Sequence, residues 1–94
     1  MNKIEVLFSS RAINRGGILL FSKRDALDFI EQCKYFEIVI LGIDGFFISE
    51  SLTQPSLEDS IDYSGTLSIS GIYEKALEFV NNRDANLYFE IICE

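Results

Sequence analysis

Glu58, Asp59 and Asp62 place three carboxylates within five residues, with Glu50 upstream and Asp44 further back. Carboxylates at this spacing suit three kinds of chemistry. A pair in a pocket that raises one pKa can act as general acid and base. A cluster with Asp-x-Asp-x-Asp-Gly spacing can hold Ca²⁺. An exposed set can steer a basic partner. The segment around them is rich in Ser and contains Pro55, which makes a poor pocket, and the Ca²⁺ spacing is absent. The steering role is the one the pattern supports.

Other reactive groups are few. The chain has no His, so the usual general base and the commonest metal ligand are missing. Cys33 falls on an apolar helix face and Cys93 near the end of an apolar strand, and both read as small buried hydrophobes. Two cysteines make no disulfide framework, and no zinc set is on offer. Arg15-Gly16-Gly17 is too short for an RNA-binding repeat and lacks the context of a phosphate loop, so it reads as a turn. No catalytic residue, metal or cofactor is expected.

The charge distribution carries the main signal. The chain has 15 acids and 8 bases, a net charge of −7. From residue 35 to residue 74 there is no Lys or Arg, while Glu37, Asp44, Glu50, Glu58, Asp59, Asp62 and Glu74 all lie there. A one-signed field repels nucleic acid and draws a cationic protein. The same acids also serve solubility. Between them stand Leu52, Leu57, Ile61 and Tyr63, and interfaces join such apolar anchors to charges that fix register. The alternative is that these residues tack a loop to its own core.

The elements that must position these groups follow from periodicity. Ninety-four residues make one domain, 1–94. At 48% hydrophobic the chain has the material for one core. Residues 2–9 alternate as a strand, with Ile4, Val6 and Phe8 on one face. Residues 10–17 read as a loop, and 18–21 as a short apolar segment. Ser22 caps a helix that runs to Lys34 or Tyr35, with Ala26, Phe29, Ile30 and Cys33 on its apolar face. Residues 36–43 read as a central strand, and Asp44-Gly45 as a two-residue turn into a returning strand at 46–49. Residues 50–65 read as an exposed acidic loop, with at most a short strand near 61–63. Residues 66–70 alternate as a strand. A second helix opens at Ser70 or Gly71 and presents Tyr73, Ala76, Leu77 and Val80. Residues 86–94 form the last strand.

Two amphipathic helices need a common surface. The expected fold is α+β: a mainly antiparallel sheet of four to six strands with two helices packed on one face. The order fits a split β-α-β arrangement of ferredoxin-like type. No apolar run is long enough to cross a bilayer. The opening residues lack a signal peptide's pattern, so a cytoplasmic location is expected.

Two segments carry a family resemblance: Phe21-Ser22-Lys23-Arg24-Asp25-Ala26-Leu27 and Ile40-Leu41-Gly42-Ile43-Asp44-Gly45-Phe46. With the late helix and final strand, they resemble small immunity proteins of bacterial polymorphic-toxin and contact-dependent inhibition systems, the immunity protein 40 group in particular. The chain departs from that pattern at Ile43, where a second Gly is usual, and in having no Trp; Tyr63 is the nearest aromatic substitute. The resemblance implies a non-catalytic protein that occludes the active site of a cognate toxin, with a basic nuclease as the expected partner. It transfers no binding residues. The exposed-loop reading supplies them: Asp44, Glu50, Glu58, Asp59, Asp62 and Tyr63. The alternative function is a small ferredoxin-like regulatory or ligand-binding domain.

Overall fold

Gly16 and Gly17 both have positive φ, at 61° and 90°. They form the tight two-residue turn of a hairpin, which needs this conformation at both central residues. The flanking strands are β1 (Ile13–Arg15) and β2 (Ile18–Ser22). The computed structural model describes residues 3–65 and 70–94. Ahead of the hairpin lie a short helix, α1 (Lys3–Phe8), and a 3₁₀ turn at Ser9–Arg11. After it come α2 (Lys23–Tyr35), β3 (Ile40–Ile48), β4 (Thr53–Asp62), α3 (Ser70–Asn81) and β5 (Tyr88–Cys93).

The fold is α+β, with a five-stranded antiparallel sheet in the order β1-β2-β5-β3-β4. The last strand lies inside the sheet. Both β2 and β3 run antiparallel to β5, so they are parallel to each other and joined through α2. Likewise β4 and β5 are parallel, joined through α3, with β3 between them. Each crossover therefore has a strand inserted in it, as in a split β-α-β unit.

Residues from all three helices and one sheet face form the core. Ile4 and Phe8, then Phe29, Ile30 and Cys33, then Tyr73, Ala76 and Val80 pack with Phe21, Ile43, Phe89 and Ile91. Phe8, Phe21 and Phe29 meet ring to ring at 5.1–6.3 Å between centroids. Ser22 caps α2 as expected: its Oγ accepts from the Asp25 amide at 3.3 Å, an arrangement worth about 1 kcal/mol.

Four local expectations are corrected. Residues 3–8 are helical, because Ile4 and Phe8, four apart, share the buried side while Val6 is 59% exposed. The segment read as a loop at 10–17 holds the 3₁₀ turn and β1. Asp44 and Gly45 do not turn; they lie inside β3, and the chain reverses at 49–52, where the Ser49 amide donates to the Leu52 carbonyl at 2.8 Å. The acidic loop is mostly β4, an edge strand, which is where a strand tolerates Pro55. In addition, β3 begins only at Ile40. Of the strand expected at 66–70, residues 66–69 lie outside the described residues and Ser70 starts α3.

Candidate functional site

Registers place the acids. Ile43 pairs with Ile61 and Ile91 on the helix-covered side. The alternate positions therefore face away from the helices: Gly42, Asp44 and Phe46 on β3, Glu90 and Ile92 on β5, Ser60 and Asp62 on β4. Asp44 stands directly opposite Glu90 on one side and Ser60 on the other, and Gly42 stands opposite Asp62. Like charges directly opposite across a strand pair are destabilising. Asp44, Asp62, Ser60 and Ser64, with Leu41, Leu57 and Ile92, line an open groove of about 580 Å³.

One irregularity shapes this groove. Asp44 pairs with Ser60, yet its neighbour Gly45 pairs with Ser56. Leu57, Glu58 and Asp59 are therefore extruded from the edge strand as a bulge. A Cβ on Gly45 would sit 2.6 Å from the Asp59 carbonyl oxygen, so only glycine admits the bulge so closely. Asp-Gly here answers a need for close approach, not for a turn. Within the bulge Ser56 Oγ donates to Asp59 Oδ2 and Ser60 Oγ to the Ser56 carbonyl, both at 2.8 Å. Arg83, beyond α3, clasps it from the helix side. Its Nη1 donates to the Glu58 carbonyl at 3.3 Å and lies 3.5 Å from Asp59 Oδ1, while its guanidinium stacks over Phe79. The outcome is Leu57, 89% exposed, held at the groove's rim.

Compared with known proteins, the chain matches no family model and no curated sequence. The site therefore rests on its own geometry.

The six residues expected to bind divide into five positions. Asp44 and Asp62 share the groove. Glu58 is exposed on the bulge beside Leu57. Asp59 is tied to Ser56 and Arg83. Glu50 lies in the β3–β4 turn, bordering a different groove with Arg15, Gly16 and Phe46. Tyr63 is 5% exposed and belongs to the core cluster, so it offers no surface anchor.

Glu90, Ile92 and Leu41 complete the groove's surroundings and were not expected there. Alternation along the last strand already put Glu90 and Ile92 on one face; what it lacked was the neighbour. Burial, then Asp44, then Glu5 push the Glu90 carboxyl above the usual carboxylate value. The Ser64 backbone amide and hydroxyl hold Asp62 below it. No Lys or Arg forms a salt bridge with Asp44, Asp62 or Glu90 among the described residues. Among the same residues no group of three His, Cys, Asp or Glu could hold a metal ion, and no helix is long and apolar enough to cross a membrane.

Proposed function

We propose that this chain is a non-catalytic binding protein of the immunity type, whose acidic sheet face docks on a basic surface of a cognate toxin. The observation that carries the reading is Leu57. A leucine exposed at 89% on a clasped bulge loses contact with water only when a partner covers it. Fixing it beforehand lowers the ordering cost of association. Around it Asp44, Glu58, Asp62 and Glu90 supply negative charge with no salt-bridged base among the described residues.

Such a face fits the substrate groove of a nuclease, where it competes with the phosphate backbone for the same cations. The acids accelerate encounter, and Leu57 with Ile92 gives the complex its lifetime. The test is co-expression with the product of the gene immediately upstream. A stoichiometric complex that weakens with salt, and loss of that product's toxicity, is the expected result. An upstream product that stays free and equally toxic would overturn the reading.

A further inference from the structure

Cys33 and Cys93 come from the two layers of the core, one on α2 and one on β5, and are 60 positions apart in sequence. Both side chains pack into the helix-side core, and Phe29, one turn before Cys33 on α2, lines a cavity together with Cys93, which sets the two thiols near enough to interact. Both flank the same short connector. The Ile38 amide donates to the Cys33 carbonyl at 2.8 Å, and the Glu94 amide donates to the Val39 carbonyl at 3.1 Å. Ile40, next along, pairs with Cys93. The two backbones are thus tied on either side of three residues, and α2 packs across β5.

The environments of the two sulfurs differ. Cys33 is fully buried. Cys93 is half-buried and lines a cavity of about 170 Å³ with Leu19, Phe21, Phe29, Glu5 and Glu90. That cavity exists because β2 and β5 pair at only two positions, Phe21 with Phe89 and Ser22 with Tyr88, and then diverge. It has room for a small polar molecule and none for a tripeptide disulfide.

We propose that Cys33 and Cys93 are an intramolecular dithiol that hydrogen peroxide oxidises to a disulfide through the opening between β2 and β5. Cys93, the less buried of the two and the one that lines the cavity, reacts first. Its thiolate attacks one peroxide oxygen; the O–O bond breaks, hydroxide leaves and Cys93 becomes a sulfenic acid. The Cys33 sulfur then displaces that hydroxyl. The S–S bond forms, the S–O bond breaks, and the Cys33 proton leaves with the hydroxyl as water. Two electrons pass from the sulfurs to the peroxide. The neighbouring Cys93 thiol, burial and nearby Glu5 all hold Cys33 protonated, so Cys33 does not make the first attack and gives up its proton only as it displaces the hydroxyl. The product ties the last strand to α2 and closes a long loop, so it raises the melting temperature.

The full chain treated with hydrogen peroxide, then alkylated under denaturing conditions, tests this by intact mass. The expected product is monomeric, lighter by two hydrogens, unalkylated, and restored by a dithiol reductant. Peptide mapping should find Cys33 joined to Cys93. Cys33→Ser should stop at a Cys93 sulfenic acid, seen as a dimedone adduct; Cys93→Ser should stay unreacted over the same time. Oxidised glutathione should act at least about tenfold more slowly, since access to a buried thiol sets the rate. Two alkylatable thiols after treatment would overturn the proposal. So would sulfinic acid at Cys93 with Cys33 free, or a link between chains. If neither serine variant folds, the peptide map of the unsubstituted chain decides.

Discussion

Arg15 Nη1 lies 3.2 Å from Thr53 Oγ1, and these residues belong to the two strands at opposite edges of the sheet. The same nitrogen reaches the Leu52 carbonyl at 3.4 Å. A flat five-stranded sheet would keep its edges about four strand spacings, roughly 19 Å, apart. The sheet is therefore curled at this end, away from the helices. Curling explains why Leu20 and Phe46, which lie outside the helix-side cluster, are 0% and 7% exposed. It also confines the open acidic surface to the other end, around Asp44 and Asp62.

Removing the tie should loosen that end. Arg15→Ala is expected to lower stability by about 1 kcal/mol, the scale of a partly exposed charged hydrogen bond. Amide exchange should rise around 46–53 while α2 and α3 stay protected. Thermal melts and hydrogen exchange read the two effects. Unchanged exchange at the β3–β4 turn would mean that Arg15 does not hold the curl.

Gly45 and Asp59 give a sharper test. Gly45→Ala would place a methyl group 2.6 Å from the Asp59 carbonyl oxygen, a backbone atom in a clasped bulge. The obstacle cannot swing aside as a side chain would. About 2 kcal/mol or more should be lost in chemical denaturation. Gly65→Ala, with nothing within 4 Å, is the control and should change little.

Glu37 is the non-glycine residue with positive φ, 56°, among the described residues. It follows α2 in a Schellman-type ending: the Ile38 amide reaches the Cys33 carbonyl and the Glu37 amide the Lys34 carbonyl at 3.2 Å. A left-handed L-residue is strained, and glycine is not. Glu37→Gly should gain about 0.5–1 kcal/mol, whereas Glu37→Ala should not. Equal effects of the two variants in thermal melts would assign the change to charge instead.

These particular residues show what the chain alone reveals. The α2 boundaries, its cap and its buried face were legible because cap, period and stop signal agree. Residues 3–8 were not: Ile4, Val6 and Phe8 satisfy a strand, and Ile4 with Phe8 satisfies a helix, so six residues cannot arbitrate. Asp44-Gly45 carries the signature of a hairpin turn, but the glycine serves a contact with a residue fourteen positions later. No local rule encodes that. In β4, Pro55, the serines and the bulge erase the alternation that marks a strand. The base-free stretch was legible as a source of negative charge. Its sorting into groove, clasp, turn and core was not, because cross-strand register decides it.

Glu90 should make stability depend on pH. Its folded pKa is raised by burial, Asp44 and Glu5. Over the window between the ordinary carboxylate value and that raised value, the folded state binds more protons than the unfolded. Stability therefore falls as pH climbs through the window and levels off above it. Glu90→Gln removes this slope. The variant should melt higher than the parent at pH 7, with the gain vanishing below the window. A gain that persists at low pH would indicate packing rather than ionisation.

The last prediction separates steering from anchoring at the proposed docking face. Asp44 and Asp62 lie in the groove without a salt-bridged base among the described residues. Replacing both with Asn should slow association with a basic partner and flatten its salt dependence, because long-range attraction acts mainly on encounter. Dissociation should change little. Leu57→Ala should do the reverse, leaving association intact and speeding dissociation, by about 2 kcal/mol or more if Leu57 is a hot spot. Neither change touches the core: Leu57→Ala should leave the melting temperature within a degree or two, on the usual scale for surface substitutions, and the Asp44→Asn/Asp62→Asn pair should not lower it, since losing the Asp44 charge relieves its repulsion from Glu90. Asp59→Asn is the contrast. It loosens the Arg83 clasp, so it should cost both stability and residence time. Binding kinetics at two salt concentrations, with melts on the same samples, distinguish the three. If Asp44→Asn/Asp62→Asn and Leu57→Ala both leave the rate constants unchanged, the partner docks elsewhere and the acids serve only to keep the surface charged.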